Sequence, residues 1–270
     1  MSDFIPLTDA SPFRRMAAAM WGNPRDPSIY GTMDIDAAPA LAFLETHGAR
    51  TGTKLTVTHL VARATALALR DQPEINAKVR YWGKLEQRTS IDLFLTVATD
   101  GGKDLSGVRI DRADQRSLVE IAGELGQRAR DIRSGADQSY KKSKAGFSKL
   151  PWWLTRAAVR AGDVAVNELH LDLPGLGLPR DAFGSAMITS VGMFGIDTAF
   201  APFVPMARVP MLLLVPEVRP RPVVVGGDRL EVRPVMRLCA TFDHRIVDGF
   251  AAGKLARRLH ALFAAPDALA

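Results

Sequence analysis

His244 stands four residues ahead of an Asp248-Gly249 pair, in the run Ala240-Thr241-Phe242-Asp243-His244-Arg245-Ile246-Val247-Asp248-Gly249. Imidazole is the side chain that exchanges a proton near neutral pH without special help, and a neighbouring carboxylate or carbonyl fixes its tautomer. A histidine at the mouth of a strand, followed by a polar turn, has the layout of a positioned general base. Gly249 is expected to let the chain turn where a Cβ would be in the way. Three fixed residues have a plainer reading too, a hydrogen-bonded histidine that closes a strand. A second stretch, Gly184 to Gly195, ends an apolar run in Thr189-Ser190 with glycines for tight turns.

The elements that must hold these residues are readable from apolar spacing. Val235–Phe242 is expected as the strand leading into His244, and a helix from about Phe250 turns Leu255, Leu259 and Phe263 inward and Lys254, Arg257 and Arg258 outward. Leu55–Arg70 shows the clearest three- and four-residue spacing, and His59 on it reads as a buried or rim histidine rather than a ligand. Further strands are expected at 28–37, Val79–Trp82, Glu86–Thr89, Ile91–Thr99, Met211–Val215, Val223–Val225 and Leu230–Met236, with hairpin turns at Gly83-Lys84 and Gly226-Gly227-Asp228. Helices are expected at Phe13–Trp21, capped by Ser11 and opened by Pro12, at Pro39–Thr46 before a turn from Gly48, and at Ser117–Arg133.

Composition narrows the class. The 270 residues are 47% hydrophobic and 24% charged, ordinary for a globular chain able to bury a full core. No apolar run is long enough to cross a bilayer and the first residues lack signal-peptide features, so the cytoplasm is the expected compartment. The one cysteine, Cys239, is expected as a buried, inert thiol. Between Arg128 and Arg160 nine Lys or Arg face only Asp131 and Asp137, a net of +7 against +6 for the whole chain. Such a local patch suits an anionic ligand or surface, and no nucleic-acid-binding motif accompanies it. Trp152, Trp153, Val159 and Val164 beside Arg156 and Arg160 make the segment 150–169 amphipathic. A lid or partner-docking helix packed on its own domain is the expectation there, with membrane-surface contact the lesser reading.

Asp243-His244-Arg245-x-x-Asp248-Gly249 resembles the active-site signature of dihydrolipoamide acyltransferases, the catalytic cores of 2-oxoacid dehydrogenase complexes. Chloramphenicol acetyltransferase is a more distant relative of that family. Gly184-Ser185-Ala186-Met187-Ile188-Thr189-Ser190-Val191-Gly192-Met193-Phe194-Gly195 is similar to the family's Gly-x-Phe-x-Ile-Ser-Asn-x-Gly-x-x-Gly. Pro73-Glu74-Ile75-Asn76-Ala77 and Ala113-Asp114-Gln115-Arg116-Ser117-Leu118 add to the resemblance, which covers about residues 11–265 apart from 134–180.

The resemblance implies an α/β, chloramphenicol acetyltransferase-like fold, a mixed sheet with flanking helices. It implies one catalytic domain over 1–270, carrying an inserted basic and amphipathic segment at about 134–180 and no lipoyl or subunit-binding domain. It further implies a homotrimer in which His244 of one chain meets Thr189 of its neighbour. His244 would take a proton from a thiol, coenzyme A or a dihydrolipoyl group, and Thr189 would hydrogen-bond the oxyanion, with Ser190 the fallback donor. Asp248 would hold the loop, in an ion pair with Arg14, and the Asn76 segment would pack under the catalytic centre. Coenzyme A is the implied substrate, any lipoyl group would come from another protein, and no metal is implied. Thr189 and Ser190 replace a serine and an asparagine, and Leu105-Ser106-Gly107-Val108 replaces a proline-valine strand. Transfer to a hydroxyl or amine, or an inactive trimeric scaffold, therefore stand as alternatives to a thiol acceptor.

Overall fold

The structure, a computed structural model, describes residues 26–99, 104–134, 151–176 and 178–270. The expected helix Phe13–Trp21 and Arg14 lie outside them. Strand β1 (Ser28–Asp36) alternates Ile29, Met33 and Ile35 toward the core with Tyr30, Asp34 and Asp36 on the other face, the period-two pattern of a half-buried strand. A turn of chain leads to helices α1 (Ala38–Thr51) and α2 (Val57–Arg70), then to a small hairpin of β2 (Ala77–Val79) and β3 (Leu85–Gln87). Strands β4 (Leu93–Thr99) and β5 (Asp104–Ile110), helix α3 (Leu118–Ser134) and helix α4 (Trp152–Asp163) follow. The last part holds β6 (Ala186–Ser190), β7 (Met211–Val215), β8 (Arg219–Val225), β9 (Arg229–Asp243) and α5 (Gly249–Ala264).

The main sheet runs β1-β9-β7-β6-β4-β5, with β8 also on β9. It is mixed, because β4, β6 and β7 are mutually parallel while β1, β5, β8 and the long β9 are antiparallel to their partners. Helices α1, α2, α3 and α5 cover one face. Leu60, Leu67, Leu255, Leu259 and Phe263 meet Ile35, Leu93, Leu95, Ile188, Leu213 and Leu238 there in one apolar core. The other face carries a smaller cluster, Met187, Ala207, Val209 and Leu212 packed with Phe94 and Phe183, under the loops around 183 and 201–209. Positions next to that cluster, Thr96 and Thr189 among them, share this outer face.

Three boundaries differ from expectation for local reasons. Helix α1 does not stop at Gly48; it runs to Thr51 and ends at Gly52, whose φ of 65° suits a glycine and whose N–H bonds Gly48 O. The two strands expected around Val235 are one continuous strand, β9, fifteen residues long. Its first half pairs only with β8, and the prolines of that ribbon are tolerated because β8 is an edge strand. The expected strand to Trp82 is cut short by a 3-10 turn over Tyr81–Gly83.

The segment carrying α4 is fastened at its C-terminal end. Glu168 accepts from Tyr81 N at 2.8 Å and Arg80 Nε at 2.9 Å, and pairs with Arg208. Asp163 takes Arg208 Nη2 at 2.7 Å and the Tyr81 hydroxyl at 2.9 Å. Burial alone would raise the Glu168 carboxyl, but these donors hold it at about 2. The helix itself stays largely open to solvent, with Trp153 59% exposed. No described helix is long and apolar enough to cross a membrane.

Candidate active site

His244 sits just past β9, in a turn that the chain holds from several sides. Its N–H bonds Pro27 O at 2.9 Å, and the preceding Asp243 N–H bonds Pro210 O at 2.9 Å. The Asp243 carboxylate is buried and accepts from Arg245 N at 3.1 Å, Nε at 2.9 Å and Nη2 at 2.6 Å. That bidentate clamp keeps the Arg245 guanidinium charged more firmly than usual. Asp243 and Arg245 were part of the motif but had no assigned role; the sequence signal was only their adjacency to His244. Fully buried Val247 pins the far side of the turn.

The imidazole is exposed, and its Nδ1 lies 3.1 Å from Val247 O. A carbonyl oxygen can only accept, so Nδ1 carries the hydrogen and neutral His244 presents a bare Nε2 to solvent. This is the tautomer a general base needs. Asp248 takes no part in it. Its carboxylate accepts from Ala251 N at 2.8 Å and caps α5, the ordinary task of an aspartate at a helix start. The expectation for Gly249 does not hold among the described residues: its φ is not left-handed and a Cβ there would meet none of them within 4 Å. It is simply the exposed first residue of α5, where the backbone is already helical.

Thr189 lies elsewhere. Its hydroxyl is 2.7 Å from the Thr96 hydroxyl on β4, on the outer face of the sheet. Thr189 pairs across to Leu214 on β7, and Leu214 to Cys239 on β9, five residues before His244. Five residues along a strand and two strand spacings across put the two Cα atoms about 19 Å apart. One chain therefore does not bring its own His244 and Thr189 together. Strand alternation turns Ser190, the alternative donor, to the face opposite Thr189. Opposite Thr96, Gly107 has its outer side covered by the Phe94 ring, which a Cβ would meet at 2.0 Å. That contact accounts for the glycine in the altered 105–108 stretch.

The remaining expected residues are structural in this chain. Asn76 is buried, donates from Nδ2 to Ser90 O at 2.8 Å, and has no partner for Oδ1 among the described residues. It braces the joint between α2 and the β2–β3 hairpin. His59 is buried and accepts the Thr56 N–H at Nδ1 (3.1 Å), which caps α2; burial pushes its pKa down to about 4. Cys239 is buried and its thiol pushed up by desolvation. A cleft between β1, β8 and β9 is lined by Asp34, Asp197, Arg221 and Arg237. Its charges pair off, Arg237 with Asp34 at 2.7 Å and Arg221 with Asp197 at 2.8 Å, and it lies seven residues along β9 from His244, so it is not the site of His244 chemistry.

A mixed sheet covered by helices on one face, with an exposed histidine just past its longest strand, is the α/β architecture that the resemblance implied. The chain belongs to the family of 2-oxoacid dehydrogenase acyltransferase catalytic domains, whose model matches residues 8–146 and 181–270 and leaves 147–180 unmatched. It is 23% identical over 247 residues to the lipoamide acyltransferase component of the branched-chain alpha-keto acid dehydrogenase complex of Bacillus subtilis, covering 89% of this chain and 47% of that protein. The chain thus spans about half the length of the curated relatives it matches. Among solved structures, the dihydrolipoamide acetyltransferase of Azotobacter vinelandii superposes with a TM-score of 0.66 at 24% identity, over 91% of this chain and 84% of that one. Chloramphenicol acetyltransferase shares the fold at a TM-score of 0.51 and 14% identity, over 88% and 89% of the two chains.

Proposed function

We propose that this chain moves an acyl group between coenzyme A and a thiol such as dihydrolipoamide, with His244 as general base and Thr189 of a neighbouring copy as oxyanion donor. The observation that carries the reading is the Nδ1 contact of His244 to Val247 O, which leaves Nε2 as the free base at an exposed site. In the proposed reaction Nε2 takes the proton of the attacking thiol, and the thiolate adds to the thioester carbonyl. The Thr189 hydroxyl donates to the resulting oxyanion. Collapse expels the second thiolate, which takes the proton back from Nε2; no acyl-enzyme is needed when both substrates meet at one place.

The separation of Thr189 from His244 within one chain supports a site shared between copies, and a homotrimer is the assembly proposed. An apolar surface is available for self-association. On one face of the β8–β9 ribbon, Pro220 pairs with Pro234, Pro222 with Val232, and Val224 with Leu230. Leu230 is 70% and Val232 75% exposed in the single chain, more than an isolated surface side chain explains when all six neighbours are apolar. The acceptor proposed is a dihydrolipoyl thiol carried by a partner protein.

The test is release of free thiol from a panel of acyl-coenzyme A substrates with dihydrolipoamide as acceptor, wild type against His244→Ala. A fall of about a hundredfold or more is expected for loss of a general base. Wild-type binding of acyl-coenzyme A with no transfer to dihydrolipoamide would move the reading to a hydroxyl or amine acceptor. Equal rates in the two proteins would remove His244 from the mechanism.

A further inference from the structure

We infer that Thr96 is a positioning residue for acyl transfer: its hydroxyl orients the Thr189 hydroxyl so that the Thr189 proton points at the oxyanion. The inference rests on the acyl-transfer reading of Thr189 and adds to it a residue that takes no part in the motif. The parallel register of β4 on β6, Leu95 opposite Ile188, sets Thr96 beside Thr189 on the outer face. Their Oγ1 atoms are 2.7 Å apart, a short hydroxyl–hydroxyl bond.

Each hydroxyl has one hydrogen to give and can accept two. Thr96 has two acceptors in reach, Thr189 Oγ1 at 2.7 Å and Ile188 O at 3.4 Å. Direction follows from the proposed role: a Thr189 hydroxyl that gives its one hydrogen to the oxyanion can only accept in its bond with Thr96, whose hydrogen then goes to Thr189 rather than to Ile188 O. Both side chains are half-buried on strands whose β-branching restricts χ1, so the Thr189 O–H is left aimed at whatever approaches the outer face. A hydroxyl that already accepts a hydrogen bond is also the better donor. Without Thr96 the Thr189 hydroxyl turns freely and loses that bias.

Cross-strand threonine pairs also serve as sheet adhesive, so the test must separate the two roles. Valine at position 96 keeps the shape and the strand preference but loses the hydroxyl; serine keeps the hydroxyl but loses the methyl. A packing role predicts that Thr96→Val is harmless and Thr96→Ser harmful. A positioning role predicts the reverse order. Steady-state acyl transfer by the full chain, with Thr189→Val run alongside, should show kcat down about tenfold in Thr96→Val, a fraction of the hundredfold or more that loss of an oxyanion donor costs. KM for both substrates should stay within about twofold, and Thr96→Ser should retain wild-type kcat within about twofold. A large loss in Thr189→Val with none in Thr96→Val overturns the positioning role and leaves the acyl-transfer reading intact. No loss in Thr189→Val overturns the oxyanion role of Thr189 and the positioning role of Thr96 together.

Discussion

His244→Ala and Thr189→Ala each remove one half of every proposed site, so mixing the two inactive proteins asks whether a site spans two chains. Alone, the first should lose about a hundredfold of rate and the second about a hundred- to a thousandfold. The sheet register keeps the two residues about 19 Å apart in one chain. An intact site then needs His244 from a chain that lacks Thr189 and Thr189 from a chain that lacks His244. In trimers assembled at random from equal amounts of the two variants, each interface is correct at one side with probability one half and at the other with one half. About one quarter of the sites should therefore be intact, against about 1% or less of wild-type rate for either parent. The assay is acyl transfer by proteins co-expressed or refolded together at graded ratios, with mixed trimers verified by native mass. Activity should peak at equal amounts and fall away symmetrically. Verified mixed trimers that stay at the parental rate at every ratio would refute the shared site and the register argument behind it.

Two further outcomes follow from single contacts. Asp248 caps α5 through Ala251 N, so Asp248→Ala should cost about 1 kcal/mol of stability and Asp248→Asn only a few tenths. Rate should track the cap, kept in Asp248→Asn and lowered in Asp248→Ala; loss in both variants alike would mean that the carboxylate itself moves a proton. His59, held near 4 when folded against an ordinary value of 6.5, binds its proton more readily once unfolded. Its contribution is complete above pH 6.5 and shrinks as pH falls toward 4, by up to about 3 kcal/mol in all. Urea unfolding at pH 7 and pH 4.5 should show a larger loss for wild type than for His59→Gln, and equal losses would disprove the burial argument.

The sequence made local features legible because their physics is local. A short unbroken apolar run marked Met211–Val215 to the residue, and the three- and four-residue spacing of Leu60, Val61, Ala64, Leu67 and Ala68 marked α2 within two residues at its start. The His244 turn was visible because its parts are adjacent in the chain. Gly48 misled for a related reason: glycine stops helices only where the backbone goes left-handed, which happens four residues later at Gly52. Contacts between distant segments were not legible. Thr96 and Thr189 are 93 residues apart, and alternation tells which face a residue takes but not which strand lies beside it. The basic run read as a net charge, yet Arg80 and Arg208, which dock the α4 segment, lie outside that run and pair with Glu168 and Asp163.

The same register explains why no loop motion within one chain can complete the site. β9 is hydrogen-bonded to β1 on one side and to β7 and β8 on the other. Bringing His244 level with Thr189 would require β9 to slide by five residues, breaking both ladders along their length. Five is also odd, so the slide would turn Leu238, Ala240 and Phe242 out of the core and Arg237, Cys239 and Thr241 into it. Moving the turn alone would have to release buried Val247 and the Asp243–Arg245 clamp while still falling two strand spacings short. A catalytic pair drawn from His244 and Thr189 therefore needs a second copy. The exposed apolar ribbon of β8 and β9 supplies a surface on which that copy can be held.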